Sequence, residues 1–312
     1  MSSRGIITLA YGKPRYIEMA KSLARSFILH DPSVMRAIIT DSNDPELGDL
    51  FTYRVDLRPE YGPPAGHRLH LDRYTPFHET LFIGPDCLVV HPLNNFWTAF
   101  GSVPFGVCGA RSLRPPTAVA LNIPFLINNF QLKTLPPLPS FSGAIYYFKR
   151  TPEAAALFAT ARHLLTHAPE LRFPHHRRNG LDLGPSDEAI FSVTMAIHGL
   201  TTTDMGTGGM WPAIDATIRL ALDIPHGICT FVKPGRLYLP DILHLGRFTE
   251  SLFYLRECAR IEQSVKGQPD LTATQELQLI STAVILWARR KARSLSRRLR
   301  DALPTPSTHA TR

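Results

Sequence analysis

What this sequence lacks narrows its function. It has only four cysteines, Cys87, Cys108, Cys229 and Cys258, and none forms a C-x-x-C pair. That spacing suits neither a zinc knuckle nor a small disulfide scaffold; reduced, buried thiols are expected. No apolar stretch approaches the roughly 18 residues needed to span a bilayer. The opening "MSSRGIITLAYGKPRY" holds too short an apolar run for a signal peptide. There is no G-x-G-x-x-G and no P-loop lysine motif, which argues against a dinucleotide dehydrogenase and an ATPase. Internal repeats are absent, and no clean linker divides the chain before about Gly267.

Charge is also sparse. Only 19% of residues are charged against 44% apolar, a balance that favours a folded core over disorder. The charge present is unevenly placed. Between Arg289 and Arg312 lie eight basic residues and one acid, which account for +7 of the formal net charge of +8 and leave about +1 for the rest. The body is near neutral, so the basicity belongs to the tail.

The 312 residues suffice for one large α/β domain. "GIITLA" (Gly5–Ala10) reads as a buried parallel strand. A helix opens at Pro14, with Tyr16, Ala20, Leu23 and Phe27 at helical spacing. "AIIT" (Ala37–Thr40) is a second strand, closed by Asp41. Such a β-α-β unit predicts a parallel sheet, whose ligands gather at the carboxyl ends of its strands. "AYG" and "TDS" would then lie at the ligand edge. Further on, Ala144–Phe148 reads as a strand and Pro152–Thr166 as a helix. Ser186 is a candidate N-cap, with Asp187 and Glu188 in the first turn of another helix. "GICTFV" and "DILHLG" are late short strands.

The stretch Pro76–Val90, "PFHETLFIGPDCLVV", sets a lone acid, Asp86, at the end of the strand Leu81–Ile83. With "IITLAYG", "SFSGAIYYFKRTPEA", "SDEAIFSVTMAIHG" and "LPDILHLG", in that order, the chain to about Phe248 resembles nucleotide-sugar glycosyltransferases of the GT-A fold, especially the family 8, glycogenin-like group. The resemblance implies an α/β, Rossmann-like mixed sheet flanked by helices over residues 1–266. It implies transfer of a sugar from a nucleotide-sugar, usually a UDP-sugar, to a cell-surface glycan or lipid-linked acceptor. In that group the second Asp of an Asp-x-Asp motif and a late His hold Mn²⁺ or Mg²⁺; the matching residues are Asp86 and His244. A divalent cation suits this reaction because the departing diphosphate gathers negative charge. The first Asp of the motif falls on Gly84, and the Asn that often meets the donor sugar falls on Phe141. A non-catalytic nucleotide-sugar-binding descendant is therefore the alternative.

The resemblance also places Thr8, Ala10 and Tyr11 at the nucleotide base, with Asp41 close by. Arg68 falls near the phosphates, Gly84, Ser142 and Gly143 beside the donor, and Asp187 and Glu188 on the catalytic, acceptor side. Each has a plainer reading: a turn cap for Asp86, a core histidine for His244, an exposed helix charge for Arg68, helix-dipole acids for Asp187 and Glu188. "HHRRN" (His175–Asn179) reads as a solvated or acceptor-binding loop.

In the tail, Leu277, Ile280, Val284, Trp287, Leu295, Leu299 and Ala302 share one helical face, broadly opposite Arg289, Arg290, Arg293, Arg297 and Arg300. A basic amphipathic helix over 267–303 suits an anionic membrane surface and a peripheral place on the cytoplasmic face; a core helix with a solvated end is the other reading. Nucleic acid is disfavoured because the body carries no basic face. Residues 304–312 are expected to be disordered.

Overall fold

A computed structural model describes residues 3–109, 121–134, 137–178, 181–212, 221–233 and 236–302. The expectations for "RSLRPPTA", for Asn179 and for 304–312 lie outside these residues. Two compact units are present, Met1–Gly246 and Arg247–Arg312.

In the first unit the strands are β1 (Arg4–Leu9), β2 (Met35–Thr40), β3 (Tyr53–Asp56), β4 (Glu79–Ile83), β5 (Cys87–Val89), β6 (Phe105–Gly106), β7 (Ile145–Lys149), β8 (His175–Arg178), β9 (Leu181–Pro185), β10 (Met210–Pro212), β11 (Ala221–Asp223), β12 (Ile228–Lys233), β13 (Arg236–Tyr238) and β14 (Ile242–His244). Its main helices are α1 (Pro14–His30), α2 (Pro64–Arg68), α3 (Asn94–Phe100), α4 (Pro152–Thr166) and α5 (Asp187–Ile197).

The central sheet has six strands in the order β3-β2-β1-β4-β7-β6. β1 pairs in parallel with β2 and β4, and β2 with β3. β7 runs antiparallel to both β4 and β6, so the sheet is mixed. The β1-α1-β2 crossover predicted from sequence is present. Its strands are apolar on both faces because both are covered: Ile7 and Leu9 pack in one core cluster, Ile6 in another. Burying a side chain of this kind stabilises by about 1.5–3 kcal/mol. Pro14 fits the first turn of α1, where its missing N–H costs no hydrogen bond. At α4 the Thr151 side chain accepts from the Ala154 N–H at 3.4 Å, and at α5 Ser186 does the same for Ala189.

A second sheet, β10-β14-β5, positions the site. β5 runs antiparallel to β14, with His244 opposite Cys87. The residue before Cys87 is Asp86, and the Leu245 N–H donates to the Asp86 carbonyl at 2.8 Å. Two segments more than 150 residues apart are thereby fixed in register. His175–Arg178, read as part of a loop, forms β8 and pairs antiparallel with β9. The sequence carries Asn179-Gly180 between the two, a hairpin signal.

The second unit contains α6 (Leu252–Val265) and α7 (Ala273–Ala302). Thr272 and Gln275 cap α7 reciprocally: the Thr272 N–H donates to Gln275 Oε1 at 2.8 Å, and the Gln275 N–H to Thr272 Oγ1 at 3.3 Å. Arg256 pairs with Glu276 at 2.8 Å, tying α6 to α7. No helix among the described residues is long and apolar enough to cross a membrane.

Candidate functional site at the carboxyl edge of the sheet

β4 ends in a tight turn. The Gly84 N–H donates to the Ala144 carbonyl at 2.8 Å, and the Cys87 N–H closes back on the Gly84 carbonyl at 3.1 Å. Pro85 stands where a turn favours a fixed φ. A Cβ at position 84 would lie 2.9 Å from Asp86 Oδ1, so Gly84 leaves the Asp86 carboxylate its room.

Asp86 Oδ2 faces His244 Nε2 across 3.4 Å. That is long for a hydrogen bond and short enough for both atoms to reach one divalent ion at about 2.0–2.2 Å each. His244 Nδ1 is buried and has no hydrogen-bond partner among the described residues. The ring is therefore steered by β14 and Asp86. Burial works to raise the Asp86 carboxyl, but the neighbouring His244 ring and the Arg68 guanidinium hold it below the usual carboxylate range. An oxygen and an imidazole nitrogen fit Mn²⁺ well and Mg²⁺ through the carboxylate. Among the described residues no group of three or more His, Cys, Asp or Glu side chains could hold a metal.

A second group of contacts lies on the β7 and α5 side. Arg68, the last residue of α2, donates from Nη1 to Asp187 Oδ2 at 3.0 Å, and its guanidinium sits 5.5 Å from the centre of the Phe82 ring. Arg68 is thus not an exposed helix charge: burial opposes its charge, and Asp187 and Asp86 sustain it. The Tyr146 hydroxyl donates to the same Asp187 oxygen at 2.7 Å. Asp187 itself is only 2% exposed. The Gly143 N–H donates to Glu188 Oε1 at 2.6 Å. Only glycine suits position 143, because a Cβ there would stand 2.5 Å from the Tyr146 oxygen and 2.7 Å from Glu188 Cγ. Ser142 Oγ accepts from the Ala144 N–H at 3.4 Å.

The remaining predicted residues separate by strand alternation. Thr8 shares the face of Ile6, and Ala10 packs with Ile17, Ala20 and Ala24 of α1. Neither side chain is on the face of Ile7 and Leu9, where Tyr146 packs. Tyr11 packs against that face, its ring 5.1 Å from His67, and burial pushes its hydroxyl up to about 12 against the pull of Arg68. Asp41 accepts from the Gly12 N–H at 3.2 Å and lines a cleft of about 290 Å³ with Gly12, Lys13, Ile17 and Ser42. Both predicted ligand-edge loops therefore meet there.

Tyr146 was legible in the sequence only as part of a good strand. A tyrosine at a buried strand position was the available signal, since its hydroxyl needs a partner.

No family model and no curated protein matches the sequence. Solved structures do. The galactosyltransferase LgtC, crystallised with donor and acceptor sugar analogues, aligns over 86% of this chain and 98% of its own, with TM-score 0.51 and 13% identity. The bifunctional glycosyltransferase WbbM, in its apo form, aligns over 90% of this chain and 52% of its own, with TM-score 0.55 and 10% identity. These likenesses establish the fold: a GT-A α/β architecture with a central mixed sheet flanked by helices.

Proposed function

We propose that this chain is a glycosyltransferase of the family 8 type, moving a sugar from a UDP-sugar to a glycan or lipid-linked acceptor of the cell surface. The observation that carries the reading is the approach of Asp86 Oδ2 to His244 Nε2 at the carboxyl edge of a GT-A sheet. Asp86 and His244 would hold Mn²⁺ or Mg²⁺, which when bound supplies positive charge to the diphosphate. Charge balance supports a need for it. Among the described residues, Asp86, Asp187 and Glu188 bring three carboxylates to the charge of Arg68, so an arriving diphosphate gains from further positive charge.

The chain's own residues divide the remaining work. Arg68, anchored on Asp187, presents a fixed fork toward phosphate oxygens. Tyr11 and the Asp41–Gly12 corner bound the base and ribose end. The Gly143 backbone and Glu188 form the floor on which the donor sugar rests. Glu188 is placed to orient an acceptor hydroxyl.

Titration calorimetry with UDP and Mn²⁺, followed by hydrolysis assays over a panel of UDP-sugars, tests this reading. Micromolar UDP binding and turnover of at least one sugar are expected. Absence of UDP binding would overturn it. UDP binding without hydrolysis of any donor would favour the second reading, a non-catalytic nucleotide-sugar binder, which Gly84 and the engaged state of Asp187 support.

The second unit adds a proposed place of work. Leu277 (64% exposed) and Trp287 (60%) stand out on α7 with Ile280, Val284 and Ile285. Apolar side chains beside the basic run from Arg289 suit the anionic inner face of a membrane.

A further inference from the structure

We propose that Tyr146 is a positioning residue of the nucleotide site: its hydroxyl fixes the Asp187 carboxylate, which in turn holds Arg68 where a diphosphate can be received. This rests on the nucleotide reading above.

The face of β7 that carries Tyr146 packs into an aromatic core. Its ring lies 5.8 Å from Phe82, 6.0 Å from Phe105 and 4.8 Å from Phe191. Each of these neighbours is a phenylalanine, and Tyr146 has no exposed surface. Packing alone is served by phenylalanine there. A hydroxyl in such a place must be desolvated and needs a partner. Its partner is Asp187 Oδ2, which also accepts from Arg68. Gly143 gives the hydroxyl its space, since any side chain there would run into it. Burial, then the Asp187 charge, keeps the hydroxyl protonated, so it remains a donor across the physiological range.

The contacts run from Tyr146 to Asp187 to Arg68, whose charge acts on Asp86. Tyr146 lies beneath the site and is fully buried, so its influence on a nucleotide passes through Arg68. A residue acting in series through another shows its effect only while that other is present.

A double-mutant cycle on UDP binding in the presence of Mn²⁺ tests this, with melting temperature measured in parallel. Tyr146→Phe fills the same slot between Phe105 and Phe191 and is expected to fold. It should weaken UDP binding about fivefold, and Arg68→Gln about fiftyfold. In the Arg68→Gln background Tyr146→Phe should change affinity by less than about twofold. Asp187→Asn reaches the same contact from the other side and should likewise lose most of its effect once Arg68 is gone. Wild-type affinity in Tyr146→Phe, or equal losses with and without Arg68, would overturn the proposal while leaving the nucleotide reading intact. Wild-type protein that binds no UDP would overturn both.

Discussion

Two groups of carboxylates stand at the same edge of the sheet and are built in opposite ways. Near the end of β2, Lys21 pairs with Asp44 at 2.5 Å, with Glu18 at 3.0 Å and with Glu46 at 3.1 Å, and Arg25 also pairs with Glu46. Lys21 and Arg25 are 7% exposed at the side chain. There each of the three acids has the Lys21 ammonium within 3.1 Å. At the end of β4, Asp86 meets one imidazole across 3.4 Å. The first group spends its charge on holding the loop after β2 to α1. The second leaves charge available to something that arrives. On the proposed function, the extent of local pairing would separate the acids around Lys21 from Asp86.

Variants can break this comparison. The largest effect is expected at Asp86. Asp86→Asn keeps shape but removes the charge that holds a dication. It should weaken Mn²⁺-dependent UDP binding at least about thirtyfold, on the order of 2 kcal/mol, with the melting temperature nearly unchanged. Unchanged UDP affinity, measured calorimetrically with Mn²⁺ present, would remove Asp86 from the site.

Lys21→Met should do the reverse. Leaving Asp44, Glu18 and Glu46 without their shared cation should cost about 3 kcal/mol and lower the melting temperature by roughly 6 °C or more. UDP affinity should stay within about twofold. A large loss of UDP binding at constant melting temperature would show that this cluster, too, serves the ligand.

Acid sharpens the contrast. Hydrogen bonding to Lys21 lowers the Asp44 carboxyl; Glu46 is held down by Lys21 and Arg25 against the opposing effect of burial. A carboxyl whose folded value is depressed stabilises the fold above its unfolded value and loses that contribution as pH falls through the folded one. Stability from this cluster should therefore be complete at neutral pH and decline below about pH 4. Lys21, whose ammonium is shifted upward despite burial because of Asp44, Glu18 and Glu46, would lose its share only in strong alkali. Melting temperature followed from pH 7 to pH 3 should fall more steeply for wild type than for Lys21→Met. Parallel curves would contradict the assignment.

The smallest effect on the site itself is expected from the second unit, whose sequence carries the basic run from Arg289. Lys291 lies 5.8 Å from the centre of the Trp287 ring, among exposed apolar residues. Removing residues 289–312 should release the protein from anionic vesicles and leave UDP binding unchanged. Vesicle binding of the full chain should weaken as salt rises, because attraction to headgroups is screened beyond about 8 Å at physiological salt. Equal co-sedimentation of both forms would sink the tether.

Much of the frame was legible because its signals are local. Pro14 and the apolar spacing after it announce α1, and Pro152 with Thr151 before it announces α4. The pairing of Asp86 with His244 was legible only through family resemblance, since the register of β5 against β14 brings together residues from opposite halves of the chain. The Lys21 cluster was not legible. Its partners come from α1 and from the loop after β2, and no sequence pattern says which acid a lysine will meet. Tyr146 escaped for the same reason, as its partner Asp187 lies 41 residues away. The alternation of β1 puts Thr8 on the face of Ile6 and packs Ala10 against α1, an arrangement compatible with the main-chain contact to a base expected of them from the sequence.

The most direct test is His244→Ala assayed for UDP binding with Mn²⁺ and again in excess chelator. If Asp86 and His244 hold the ion, wild-type affinity should fall at least about tenfold on chelation. The variant should already sit near the chelated value, at nearly unchanged melting temperature. Wild-type affinity indifferent to chelation, or a variant that melts far earlier yet binds UDP as wild type does, would make His244 a core histidine and contradict the account.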